Sequence, residues 1–391
     1  MAVKLVLTQI MKNESHVITR MLDSIKEIVD GIVINDTGST DNSIDVVKKW
    51  GSDNNVETYV IERPFDNFEE SRNFAIKNTK ELFLNRNDGH TYYSFWLDAD
   101  EIIKVDKTFN KQKIDKDLYM FNTFIGQMKY TRNEMFKLDK PCRFYGCVHE
   151  YIVCDDQNIT SGLLEGLNVY VQMDGASWKG DISDKYKKHA AILEDYIDTK
   201  DRNARWVFYT AQSYHDSASI PDNRPENEER LRRSLKYYRE RVNRSDGYEE
   251  ERFYSQYRIG TIMRVLEMPW NETHQELLKS YAMDPLRGEP IKSIIDYYLS
   301  VGEWHIAYMY SKFAKINFHG KNPYPQKLLF IDSALYSWRI LEVHSAACFY
   351  TGRKEEAKST FTELVDMTKK SPELFSPEDL AKINSNAQFF L

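Results

Sequence analysis

Apolar residues over the first hundred positions switch between two spacings. Val3–Ile10 is a short continuous apolar run, and Ser15–Val29 carries Val17, Ile18, Met21, Leu22, Ile25 and Ile28 at helical spacing. Gly31–Asn35 is apolar through Ile32-Val33-Ile34, and Thr40–Trp50 returns to the helical period. Val56–Ile61 alternates, Phe68–Leu84 reads as a helix, and Tyr93–Leu97 as a strand. A βαβαβαβ order predicts a parallel sheet with helices on both faces. Ligands of such sheets sit at the carboxyl ends of the strands, and Asn35-Asp36 and Asp98-Ala99-Asp100 fall at such ends.

From Leu118 to about Met173 the pattern shortens into β-like runs at Tyr119–Phe124, Gln127–Tyr130, Glu134–Leu138 and Asn168–Gln172. Beyond about Ser183 it is almost entirely helical, with paired segments such as Glu303–Lys315, Val343–Phe349 and Glu355–Val365. The pairing is tetratricopeptide-like with an irregular period. Two domains are expected, 1–180 and 181–391.

Composition narrows the class. The 391 residues are 41% hydrophobic, enough for a sizeable core, and carry a net charge of −7. That balance gives no general attraction to nucleic acid or anionic membrane. No apolar run approaches the ~20 residues of a membrane span, and Met1–Ile10 reads as a buried strand rather than a signal peptide. The sparse cysteines, Cys142, Cys147, Cys154 and Cys348, suit a reducing cytoplasm and read as semi-buried thiols. Cys142, Cys147, His149 and Cys154 lack zinc-knuckle spacing.

Asp98 and Asp100 end a hydrophobic strand one residue apart. Two such acids repel, and a hard cation such as Mg²⁺ or Mn²⁺, shared with a substrate's phosphates, would remove the conflict. In Asp36-Thr37-Gly38-Ser39-Thr40-Asp41, Gly38 permits a tight turn and Ser39, Thr40 or Asp41 can cap the next helix. Asp41 reads chiefly as such a cap, Glu101 as a solvated or helix-starting acid, and Arg72 lies on a helix near the sheet edge.

Lys12-Asn13-Glu14, Asp36–Asp41, Arg72-Asn73-Phe74-Ala75 and Leu97–Glu101 together resemble the family 2 glycosyltransferases of GT-A fold, in the branch with a helical C-terminal domain. Arg143–Glu150 is similar to that branch's R-x-x-G-x-x-H-E segment. The resemblance implies an α/β GT-A domain, Rossmann-like with a mostly parallel sheet, followed by an all-α repeat-like domain. It implies an inverting enzyme that uses a nucleotide sugar, with a UDP-sugar as the expected donor. Thr8, Asn13, Glu14, Asp36, Arg72, Asp98 and Ala99 would line the donor. Asp100 would hold Mn²⁺ or Mg²⁺, Asp98 would be shared between ribose and metal, and His149 or water would complete the shell. Glu150 is the first choice of base and Asp174 the second. Met173 stands where many relatives have a histidine, which leaves the remaining metal ligand open. The acceptor is open among glycan, protein, lipid-linked sugar and modified nucleic-acid base. Two other readings stand beside this one. One is a scaffold with a degenerate transferase domain; the other is a nucleotidyltransferase, for which Lys12-Asn13-Glu14 lacks the usual glycines.

Overall fold

The computed structural model describes residues 2–86, 88–107, 109–126, 128–218, 224–321 and 329–390. The chain divides into two compact units, Met1–Thr199 and Lys200–Leu391. The first runs β1 (Val3–Met11), α1 (Ile18–Ile25), β2 (Gly31–Asp36), α2 (Ser43–Asn54), β3 (Glu57–Glu62), α3 (Phe68–Phe83), β4 (Thr91–Phe95) and β5 (Glu101–Val105). It continues through β6 (Leu118–Ile125), β7 (Met128–Lys137), β8 (Cys142–Tyr145), β9 (Tyr151–Cys154), β10 (Ser161–Val171) and α4 (Ile182–Thr199).

Eight strands form one sheet in the order β3-β2-β1-β4-β7-β6-β10-β5. β3, β2, β1 and β4 are mutually parallel, β7 is antiparallel to β4 and β6, β10 is parallel to β6, and β5 closes the edge antiparallel to β10. Alternation along β1 separates two cores. Leu5 and Leu7 pack with Ile18, Met21, Leu22 and Ile25 of α1, while Val6 faces the other way, with Val33, Ile76 and Phe83. The expected mostly parallel sheet with helices on both faces is therefore what forms. The runs expected at Gln127–Tyr130 and Glu134–Leu138 belong to the single strand β7, with Gln127 itself outside the described residues.

β8 and β9 form a separate ribbon. Its register sets Cys142 opposite Cys154 with Cα atoms 4.0 Å apart, and the two are joined as a disulfide. This corrects the expectation of four thiols: only Cys147 and Cys348 are free, both buried. Strand spacing between paired positions supplies the proximity that sequence distance conceals.

The second unit is helical: α5 (Ala204–Ala218), α6 (Arg224–Val242), α7 (Glu249–Val265), α8 (Trp270–Met283), α9 (Glu289–Ser300), α10 (Trp304–Asn317), α11 (Ile340–Tyr350), α12 (Lys354–Lys370) and α13 (Pro377–Phe390). Successive helices pack on one another, around Leu277, Ile291, Ile294 and Phe318 in one cluster and Trp338, Leu341, Phe361 and Leu364 in another. No helix among the described residues is long and apolar enough to cross a membrane.

Candidate active site

The carboxyl ends of β1 and β2 are stapled together. Asp36 Oδ2 accepts from the Gly38 and Ser39 amides at 3.0 and 2.9 Å, and Ser39 Oγ donates to Asp36 Oδ1 at 2.5 Å. Gly38 takes φ 106°, a conformation that glycine adopts without steric cost. Asn13 N donates to Ser39 Oγ, and Asn13 Oδ1 accepts from the Thr40 amide at 2.7 Å. Asp41 accepts from the Ser43 amide and hydroxyl at the start of α2. Burial would raise the Asp41 carboxyl, but the Ser43 and Ser15 hydrogen bonds overcome it and hold the group at about 2. Asp36 and Asn13 thus shape the loop, and Asp41, one residue before the N-cap Asn42, closes a turn onto Ser43 rather than capping the helix itself. Thr8 lies fully buried between Thr79 Oγ1 and Ser94 Oγ, beneath the sheet end.

A second group gathers on Arg72 of α3. Its Nε lies 2.5 Å from Glu150 Oε1, its Nη2 donates to Asp98 Oδ1 at 3.2 Å, and its guanidinium sits 4.0 Å from the Trp96 ring centroid. Trp96 Nε1 also donates to Asp98 Oδ1. Burial works to raise the Asp98 carboxyl, and the Arg72 and Arg132 guanidinium groups overcome it and hold it ionised below its ordinary range. Next to Arg72, Asn73 clasps the ribbon: its Nδ2 donates to Phe144 O at 2.9 Å and its Oδ1 accepts from Phe144 N at 2.8 Å. Glu69 Oε2 accepts from Gly146 N at 2.9 Å. α3 therefore grips the segment that leads to His149 and Glu150.

Glu101 departs from its expected solvated role. It begins β5, is 1% exposed, accepts from the Asp98 amide, and pairs with Arg132 at 2.5 Å. Arg132 also pairs with Glu134. Burial of an acid beside a strand start requires this cation, and the R-x-E alternation of β7 puts both side chains on one face.

Asp100 is the unsatisfied member. It is buried, and among the described residues its Oδ2 has no hydrogen-bond partner. Burial first, then the Asp98 charge, push its carboxyl upward. Gly175 lies against it, where a Cβ would sit 3.1 Å from Asp100 Cγ. Glu14 approaches from β1, its carboxylate accepting from the Ala176 amide at 3.1 Å. Burial raises Glu14 to about 7, against the lowering effect of that amide and with further help from Asp100. Ala99 between the two aspartates is buried. A buried carboxylate oxygen without a donor is a group that a hard divalent cation would satisfy.

Lys185 and His189 enter from α4, and no short motif announced them. Burial lowers the Lys185 ammonium while Asp100 and Asp98 resist that shift. Burial and then Lys185 lower His189 to about 4, and its Nδ1 has no partner among the described residues. The His149 ring stands edge-on to His189 at 6.1 Å. Asp98, Asp100 and His149 do not bring three ligand atoms within 4.8 Å of one another. Asp174 is exposed and takes a two-pronged contact from Arg20 at 2.8 and 2.6 Å. Asn13, His149 and Met173 all have φ near +56° (57°, 56° and 56°), and each immediately precedes an acid: Glu14, Glu150 and Asp174.

A mostly parallel α/β sheet thus carries acids, an arginine–glutamate pair and a buried orphan carboxylate at its carboxyl edge, where ligands of such sheets bind. Residues 10–135 match the family described as Glycosyl transferase family 2, and a helical unit, Lys200–Leu391, follows. The SPbeta prophage-derived glycosyltransferase SunS of Bacillus subtilis (strain 168) is 22% identical over 216 residues, 53% of this chain and 48% of SunS. The chain therefore spans about half the length of the curated relatives it matches, the second being glycosyltransferase SunS of Bacillus phage SPbeta. Among solved structures, S. aureus TarS 1–349 overlaps 68% of this chain and 90% of its own, at 13% identity and a TM-score of 0.34. Yeast Tom70 overlaps 52% and 36%, at 12% identity and a TM-score of 0.37.

Proposed function

We propose that the chain is an inverting, metal-dependent glycosyltransferase that moves a sugar from a nucleotide-sugar donor, a UDP-sugar, to an acceptor hydroxyl. The observation that carries this reading is the contrast within the aspartate pair. Asp98 is held ionised by Arg72, while Asp100 keeps a buried oxygen without a partner. Asp98 and Asp100 would hold Mn²⁺ or Mg²⁺, whose charge stabilises the departing diphosphate when the ion is bound. The Asn13–Thr40 loop would shape the nucleoside end.

Glu150 is the base in this scheme. Arg72 Nε fixes one carboxylate oxygen, and the other is left to accept the proton of the acceptor hydroxyl. The acceptor oxygen then bonds to the anomeric carbon from the face opposite the leaving group. The sugar–phosphate bond breaks, its electron pair goes to the diphosphate, and the transition state has oxocarbenium character. Asp174 is the second candidate, with its carboxylate engaged by Arg20. The acceptor class stays open in this proposal. A nucleotide-sugar donor suits a cytoplasmic location.

The test is calorimetric titration of UDP with and without Mn²⁺, together with Mn²⁺-dependent donor hydrolysis. Metal-dependent UDP binding and a loss of hydrolysis on the order of 10²–10³-fold in Asp100→Ala are expected. Equal rates in wild type and variant would remove the metal assignment. An absence of any UDP binding would return the chain to a scaffold.

A further inference from the structure

The helical unit holds a convergence of ligating atoms, separate from the residues of the candidate active site. His344 and Cys348 stand one turn apart on α11, and Glu356 faces them from α12; their ligand atoms all lie within 4.8 Å of one another. His344 and Cys348 are fully buried. His344 Nε2 is 3.3 Å from Glu356 Oε1 and 3.6 Å from Cys348 Sγ. A tetrahedral ion with bonds of about 2.0–2.1 Å to N and O and about 2.3 Å to S separates N from O by ~3.3 Å and N from S by ~3.6 Å.

One of the two neutral tautomers of His344 fits the same site. Ser311 Oγ has one hydrogen and two neighbours that could take it, the Tyr308 carbonyl at 3.1 Å and His344 Nδ1 at 2.9 Å. With that hydrogen on the carbonyl, Nδ1–H donates to Ser311, and Nε2 presents a lone pair to a carboxylate oxygen and a sulfur. This is the way a metal-bound imidazole is oriented by its other nitrogen. Lys312 contacts the Glu356 carboxylate at 3.6 Å.

We propose that His344, Cys348 and Glu356 bind a zinc-class divalent cation that ties α11 to α12, with water in the fourth position. Binding releases the Cys348 thiol proton to solvent and forms a metal–thiolate bond, with no change of oxidation state.

The test is Co²⁺ titration of the chelator-treated full chain. A near-ultraviolet thiolate-to-cobalt charge-transfer band with intense visible bands of a tetrahedral site is expected. Zn²⁺ should displace both. The band should vanish in Cys348→Ser and persist in Cys147→Ser, and the oxygen ligands Asp98 and Asp100 cannot produce it. Glu356→Gln, at a half-buried position that leaves the helix core intact, should weaken Co²⁺ binding at least tenfold. Ser311→Ala should weaken it by about 10–100-fold. No thiolate band, or one that survives in Cys348→Ser, overturns the site. Nitrogen NMR that shows Nε2–H of His344 retained in the presence of excess Zn²⁺ overturns it equally.

Discussion

Two buried charge clusters, one in each unit, are satisfied differently. In the helical unit, Arg287 is 1% exposed, and Glu289 pairs with it through both oxygens while also accepting from Tyr336 Oη and Asp332 N. Arg287 further donates to the Leu329 and Phe330 carbonyls. Nearly every polar atom of that pair has a partner. At the carboxyl edge of the sheet, Arg72 spreads over Asp98 and Glu150, Asp100 keeps an unpartnered oxygen, and Glu14 is raised to about 7. Saturated charge holds a fold together. Unsaturated charge costs stability that a bound ligand can return, and at the carboxyl edge of the sheet it singles out the candidate site.

The largest expected effect falls on the unsaturated side. Glu150→Gln should reduce sugar transfer by roughly 10²–10⁴-fold and leave UDP binding unchanged. Full transfer activity would remove Glu150 as base and shift attention to Asp174. On the saturated side, Arg287→Met leaves Glu289 buried without its cation. It should cost about 3–5 kcal/mol in a denaturant titration without changing the affinity of the first unit for UDP. If stability held and UDP binding fell, the contrast between the two clusters would be wrong.

A third measurement concerns His189, whose ring is held neutral. Its ordinary value near 6.5 falls to about 4 in the fold, so stability is intact above the unfolded value and is lost as pH drops through the folded one. Between about pH 6.5 and pH 4 the wild type should lose about 3 kcal/mol more than His189→Gln, read from urea midpoints across that window. Identical pH profiles would show that the ring is not held neutral. The smallest effect is at Asn73, a positioning residue. Asn73→Ala removes both bonds to Phe144 and should cost about 1–3 kcal/mol. It should lower kcat with little change in donor KM, because the ribbon that carries Glu150 loosens while the donor edge does not. Unchanged kcat would detach Asn73 from the base.

Much of the first unit was legible before its structure. The β1-to-β4 order follows from local periodicity, and Asp36, Arg72, Asp98, Asp100 and Glu150 stand in short motifs whose spacing survives folding. What stayed hidden depends on register and long-range approach. Arg132 reaches Glu101 only because β7 enters the sheet beside β4, with Glu134 paired to the same guanidinium. Lys185 and His189 arrive on a helix that reads as ordinary amphipathic sequence. Asp174 meets Arg20 across 154 positions, which no local pattern can report. Glu101 looked solvated because its burial comes from a strand start and a distant cation. The cysteine pair was missed because twelve residues of separation say nothing about which strand positions face each other.

The Cys142–Cys154 bond encloses Gly146, His149 and Glu150 within one closed loop. A preparation made with reductant and one made without it are therefore two chemical species of identical sequence. They differ at the segment that presents Glu150. Free-thiol counting on the denatured chain distinguishes them, since two thiols report the ring closed and four report it open. The purification history of a sample thus becomes part of its enzymology, and an activity value for this protein is complete only when its thiol count accompanies it.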